Sequence, residues 1–241
     1  MEQKFIQIFD GLKRDYGYAE VSNGYKDSTT GKFKVKHGWA GKQLTDTDYI
    51  QHLNGEKSIG IQPCDDNGMV SFGAIDIDSK AYQNFSPRKY LEIIEKNNLP
   101  VIPVKSKSGG LHLYVHTKDK VKASFLRNFL DKLLYTLELN PTTEIYPKQT
   151  ELGTGPDGSF TNGNFINLPY YNKTERVALN LDGTEFKFDQ YVQVVEANRK
   201  TEQQLNEFID EHIRTILTGG AEEFVDGPPC LQAISKTIDD S

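Results

Sequence analysis

Met69-Val70-Ser71-Phe72-Gly73-Ala74-Ile75-Asp76-Ile77-Asp78 is the stretch on which the fold turns. It is nearly all apolar until it ends in two carboxylates, and it reads as a buried strand. Alternate side chains of a strand share a face, so Asp76 and Asp78 are expected to point one way and Ile75 and Ile77 into the core. Two ionised carboxylates side by side at the end of a buried strand repel each other, and a hard divalent cation is the usual compensation. The plainer alternative is a DxD pair at an exposed strand end. The apolar run leading into it weighs against that, because burial makes an uncompensated pair costly.

Working outward, Lys105-Ser106-Lys107-Ser108-Gly109-Gly110-Leu111-His112 joins two apolar stretches, Val101–Ser106 and Leu111–His116, by a tight turn. Paired glycines let backbone N–H groups approach an anion closely, and Lys107 and Ser108 would add a charge and a hydroxyl. A Gly-Gly turn is also the ordinary mark of a hairpin, and a lone His112 is more often a satisfied core histidine. Together these residues suit a triphosphate cradle. Further on, Thr143-Glu144-Ile145-Tyr146-Pro147-Lys148-Gln149 puts another carboxylate on an apolar strand. Glu144 either completes a three-carboxylate set able to hold two metals or is a strand-edge glutamate paired with Lys148. The following loop, 151–163, contains four glycines and could fold over a substrate.

The remaining pattern fills in an α+β domain with a mostly antiparallel sheet and helices packed on it. Helices are expected over 1–13, 45–53, 86–97, 123–138, 190–198 and 201–217, and further strands over 18–22, 58–63 and 164–171. Residues 23–42 read as a loop or hairpin carrying Lys26, Lys32, Lys34, Lys36 and Lys42 against the single acid Asp27. It is either a solvated lysine loop or a phosphate-backbone contact. Trp39, the only tryptophan, reads as a packing anchor rather than a base-stacking platform; Phe160, Phe165, Tyr170 and Tyr171 could stack on bases or simply pack, and packing is the favoured reading for most of them.

Composition bounds the function. The chain has 241 residues, 37% of them apolar, and a net charge of −6. That charge argues against a nucleic-acid binder as a whole, but nine acids against two bases fall after residue 200, so the first 200 residues are near neutral. Such a body can still present a basic groove. No apolar run reaches the roughly 20 residues needed to span a bilayer, and the charged N-terminus is not a secretory signal. Two cysteines, Cys64 and Cys230, exclude a disulfide framework and a Cys-rich zinc module, which points to a reducing cytoplasm.

Taken in order, these motifs resemble the archaeo-eukaryotic primase superfamily, in particular the primase-polymerases of phages, plasmids and mobile elements. The matching residues are Asp76 and Asp78; Ser108, Gly109 and His112; Glu144, Pro147, Lys148 and Gln149; and Gly163, Asn164, Ile166, Leu168 and Pro169. They lie within roughly residues 35 to 171. The resemblance implies an RRM-like catalytic sheet beside a smaller N-terminal α/β subdomain, all within residues 1–200. It implies nucleotidyl transfer from NTPs or dNTPs to a primer 3′-OH on a single-stranded DNA template. Asp76, Asp78 and Glu144 would then be catalytic and hold two Mg²⁺ or Mn²⁺ ions. Ser108, Gly109, His112, Lys148, Lys107 and Asn164 would bind the nucleotide, and Lys32, Lys34, Lys36 and Lys42 the nucleic acid. No structural zinc is expected, which puts de novo initiation in question but not extension. Residues 201–241 read as a polar helix and acidic tail, and within them Asp226-Gly227-Pro228-Pro229-Cys230-Leu231 resembles the opening of a helical segment in phage and plasmid replication proteins, so a longer protein with a helicase partner is expected, against a natural polar tail. The two competing readings are a metal-dependent nuclease using the same carboxylates, and a DNA-binding module of replication initiation without catalysis.

Overall fold

In the computed structural model the described residues are 1–20, 25–26, 28, 33–34, 36–155 and 158–219. The chain divides into two compact units, Met1–Thr201 and Glu202–Ser241. Among the described residues no helix is long and apolar enough to cross a membrane.

The first unit is built on the strand that begins at Met69. It becomes β6 (Met69–Ile77), and it is followed by α3 (Pro87–Lys96), β7 (Ile102–Lys105), β8 (Leu111–Lys122), α4 (Ala123–Thr136) and β9 (Glu144–Tyr146). This βαββαβ succession pairs in the order β7-β8-β6-β9, with every pair antiparallel. It is the ferredoxin-like arrangement shared by RRM sheets, as the resemblance implies. Ser86-Pro87 opens α3, where the missing proline N–H costs nothing.

The two faces of this sheet are different materials. Ile75, Ile77, Leu111 and Leu113 are completely buried on one face. There α4 closes so tightly over Gly73 that a Cβ would meet Leu126 and Leu130 at 3.0 and 2.9 Å. The other face carries Phe72, Ala74, Ile102, Val104, Tyr114 and Tyr146 into a second core. That core is shared with α1 (Glu2–Ile8), whose Phe5 and Ile8 are fully buried, and with the N-terminal sheet.

The N-terminal sheet consists of β1 (Gly17–Ala19), β4 (His37–Trp39), β5 (Ser58–Ile61) and β10 (Ile166–Asn167), ordered β10-β5-β1-β4. The late strand β10 thus crosses back to the N-terminal sheet, and the Tyr114 hydroxyl donates to the Asn167 carbonyl at 3.2 Å. Trp39 meets Phe165 edge-on at 5.1 Å, which makes it the packing anchor expected of it. Helix α2 (Asp46–Leu53) starts at Thr45, whose N–H and hydroxyl donate to Asp48 at 2.8 and 2.6 Å. Asp48 also accepts from the Tyr16 hydroxyl at 2.8 Å and pairs with Lys57. Burial raises the pKa of this carboxyl, but the donors from Lys57, Thr45 and Tyr16 outweigh it and hold it well below its ordinary value.

In the lysine-rich segment β2 (Tyr25–Lys26) and β3 (Phe33–Lys34) pair antiparallel, the hairpin of the two alternatives, and β4 follows. Two expectations need adjustment. The first helix stops at Ile8. Strand β8 continues six residues past His116, through exposed Lys118, Asp119 and Lys120, to Lys122. Helix α5 (Phe188–Asn198) completes the first unit, and α6 (Glu202–Gly219) is the described part of the second.

Candidate active site

The register of the central strands assembles a polar cluster at one end of the sheet. Asp76 stands opposite His112 on β8 and opposite Glu144 on β9. Directly opposed residues of antiparallel strands put their side chains on the same face. Three residues far apart in the chain therefore line one edge of one face. His112 is 8% exposed, and its Nε2 lies 3.3 Å from Asp76 Oδ1. Glu144 is half exposed, 2.7 Å from Lys148 Nζ, and accepts from the Tyr146 hydroxyl at 3.3 Å. Lys148 also lies over the Tyr146 ring, 5.2 Å from its centroid. Burial, and then the charges of Glu144 and Asp76, push the Tyr146 phenol above its ordinary value, so it stays a donor at neutral pH.

Asp78 lies past the end of β6. It caps a short 3₁₀ turn, Ser79–Ala81, by accepting from the Lys80 N–H at 3.0 Å. Among the described residues no group of three or more His, Cys, Asp or Glu is gathered as a metal-binding set. Asp76 and Glu144 thus stand opposed on the sheet, and Asp78 follows two residues further along the chain, where it caps the turn. One or two carboxylates completed by substrate phosphates are what Mg²⁺ ordinarily uses, in preference to an all-protein cage. The oxygen donors of Asp76 and Glu144 fit such an ion.

The glycine turn is locked onto this edge. Ser106 N donates to Gly110 O at 2.9 Å, and Gly110 N donates to Ser106 Oγ at 3.0 Å. Ser108 Oγ lies 3.1 Å from Ser106 Oγ, and its carbonyl accepts from Ser79 Oγ at 3.3 Å. Gly109 has φ +87°, which a side chain rarely tolerates. A Cβ on Gly110 would fall 2.0 Å from the Ile77 carbonyl oxygen. The turn therefore presses against the end of the strand that carries Asp76. Lys107, Ser108 and Gly109 are exposed on it.

Asn164 belongs to a second, amide-based cluster. Its Oδ1 accepts from Gln149 Nε2 at 2.7 Å, and its N–H donates to Gln149 Oε1 at 2.9 Å. Gln149 Oε1 also accepts from Gln62 Nε2 at 3.0 Å. Gln62 is fully buried, and nothing in the sequence reading singled it out. The signal was an isolated amide at the end of the apolar run Ile59–Ile61, just before Pro63.

The lysines expected to contact nucleic acid do not behave alike. Lys32 lies outside the described residues, and of Lys34 only the backbone, in β3, is described. Lys36 is exposed, 3.8 Å from Glu20. Lys42 lies 3.8 Å from buried Asp48 and 5.9 Å from the centroid of the Tyr16 ring, which ties it to the structural cluster under α2. Cys64 is a free, buried thiol whose pKa burial pushes up to about 11, and Cys230 lies outside the described residues.

Residues 8–213 match the family described as the archaeo-eukaryotic primase domain of the TOTE conflict system. No curated protein matches the chain by sequence. Among solved structures, the primase RepB′ is similar at 10% identity and a TM-score of 0.35, covering 90% of this chain and 65% of its own. The chain thus spans just under two thirds of that primase. The AEP domain of the cyanophage S-2L primase-polymerase is similar at 14% identity and a TM-score of 0.40, over 79% of this chain and 94% of its own. The catalytic domain of RepB′ in complex with initiator DNA is similar at 12% identity and a TM-score of 0.33, over 88% of this chain and 95% of its own.

Proposed function

Since the chain belongs to the archaeo-eukaryotic primase superfamily, in the family of the TOTE conflict-system primase domain, we propose that it is a DNA-template-dependent nucleotidyltransferase. It adds NTPs or dNTPs to a 3′-hydroxyl. Catalysis is carried by residues 1–200, in the cytoplasm, alone or beside a helicase partner. The observation that carries this reading is the alignment of Asp76 with both His112 and Glu144 on one face of the central sheet.

In this reading Asp76 and Glu144, joined by Asp78, hold divalent cations, Mg²⁺ or Mn²⁺. When bound, these ions supply a lowered pKa for the attacking hydroxyl and charge neutralisation on the triphosphate. The chain's own residues position the substrate. The backbone and Oγ of Ser108, the turn at Gly109 and the ammonium of Lys107 receive phosphate oxygens, an arrangement that suits glycine-rich turns. His112, whose Nε2 faces Asp76 and whose Nδ1 faces the Tyr114 hydroxyl, gives that carboxylate a fixed orientation beside the same phosphates. Lys148 balances Glu144 and reaches toward the leaving group. Asn164, held by Gln149, orients the nucleotide. Lys32, Lys34 and Lys36 contact template or primer phosphates, while Lys42, facing Asp48, steadies the cluster under α2 instead.

The test is nucleotide incorporation with Mg²⁺ or Mn²⁺, on bare single-stranded DNA and on a primed template, with NTPs and dNTPs separately. The expected result is incorporation by the wild type that falls at least about 10³-fold in Asp76→Ala/Asp78→Ala, as loss of a metal's transition-state stabilisation requires. No incorporation in any condition would sink the reading. DNA degradation without added nucleotide would replace it with a nuclease.

A further inference from the structure

Phe160 is 66% exposed, in a chain whose other large aromatics are mostly buried. Single exposed apolar residues are common and need no explanation by themselves. Three features set this one apart.

First, one side of the ring is backed by a cation: the Arg14 guanidinium carbon lies 4.9 Å from the ring centroid. Arg14 is itself fixed, because it pairs with Asp66 and donates to the Thr161 carbonyl. Second, the loop that carries Phe160 is bonded to itself. Thr154 bridges Phe160 in antiparallel fashion, and Thr161 N and Oγ1 both donate to the Gly153 carbonyl at 2.9 Å. Third, the base of the loop is welded to the candidate site. Asn162 donates to Asp15 at 2.6 Å, and the next residues enter the Gln62–Gln149–Asn164 amide cluster. Gly163 sits inside that cluster with φ +69°, where a Cβ would fall 2.3 Å from Gln62 Nε2 and 2.5 Å from Gln149 Oε1. Phe160 and Asn164 are four positions apart in the chain, so their Cα atoms are at most about 14 Å apart.

We propose that Phe160, braced by Arg14, is a stacking platform for an unpaired base of single-stranded nucleic acid entering or leaving the site. An aromatic face accepts any base, and each stacked base contributes a sequence-tolerant share of affinity. The chemistry here differs from that of a phosphate contact. Arg14 is already neutralised by Asp66, so the platform offers no free positive charge and its contribution is insensitive to salt, whereas contacts to phosphates weaken steeply with salt. This inference rests on the nucleic-acid-dependent reading above.

The experiment is fluorescence anisotropy with a short oligothymidylate and with an abasic strand of the same length, at two salt concentrations. Phe160→Ala and Phe160→Leu should weaken oligothymidylate binding about tenfold, by the same factor at both salts. Phe160→Trp should retain binding, and the abasic strand should bind all four proteins equally. The platform is overturned if the variants bind oligothymidylate like the wild type, or if the loss is as large on the abasic strand. It is also overturned if the wild type binds neither strand, or if Phe160→Ala acts by splitting a dimer in sedimentation. Incorporation that persists while binding ignores Phe160 removes only the platform. Phe160-dependent binding without any incorporation removes only the polymerase reading.

Discussion

His112 and His116 lie four residues apart on one face of β8, opposite Asp76 and Phe72 respectively on β6. Both are nearly buried, at 8% and 4% exposure, yet they occupy opposite worlds. His116 is enclosed by the rings of Phe9, Phe72 and Tyr114, at centroid distances of 5.4, 6.2 and 5.9 Å. Burial, and then the neighbouring Arg199 charge, push its pKa down to about 3, so it is a neutral packing element. His112 instead faces a carboxylate at the open end of the sheet. One residue type on one strand face thus packs in the core at one end and pairs with a carboxylate at the other. What divides them is the partner strand: β6 offers an aromatic ring at one register and a carboxylate at the other.

Exchanging the two losses gives the largest test of this contrast. His112→Ala should lower kcat/KM for nucleotide incorporation by about 10- to 100-fold, the worth of a hydrogen bond to a charged group, and leave the thermal midpoint in place. His116→Ala should do the reverse, costing roughly 3 kcal/mol through a core cavity. In a chain of this size that is a drop of about 6 to 12 °C in the midpoint. If both variants lose activity and stability alike, the division is wrong.

A smaller effect is expected from pH. His116 has a folded pKa of about 3 against an ordinary 6.5, so between these values the unfolded chain takes up a proton that the folded chain refuses. Its contribution to stability is therefore complete above about 6.5 and declines as pH falls toward 3. His52, between the Pro169 carbonyl and the Ile59 N–H, is shifted to about 3 for the same primary reason, burial. Urea midpoints at several pH values should fall less steeply in His116→Phe than in the wild type. An unchanged slope would mean that His116 does titrate in the folded protein.

The smallest effect is expected at the lysines. Lys36→Gln should reduce the slope of log affinity for single-stranded DNA against log salt by about 1. Lys42→Gln should register in thermal stability rather than in that slope, because Lys42 already faces Asp48. Equal slopes for the two variants would erase the distinction.

The sequence discloses the strand ending in Asp76 and Asp78 because a long apolar run with carboxylates at its tip has few other readings. It discloses α3 through its Ser-Pro start and α4 through its apolar spacing. It does not disclose that Asp76, His112 and Glu144 share one row, because register between distant strands depends on pairing partners that no local window contains. The extension of β8 is hidden by Lys118, Asp119 and Lys120, whose exposed side chains lack the apolar alternation of a half-buried strand. The turning of Asp78 into a cap is set by the next two residues rather than by strand periodicity. Gln62 and Phe160 invert the usual expectation, one an amide buried outright and the other an aromatic held in water. Both depend on the loop around Gly163, whose path is a tertiary matter.

The seat of Gly110 against the Ile77 carbonyl makes the turn and the carboxylate strand one mechanical part. A protein engineer would find little freedom there, since any bulk added at the turn moves the end of the carboxylate strand with it. In a saturation library, Gly109 and Gly110 should appear as a narrow trough of depleted substitutions, with Lys107 on its rim comparatively permissive.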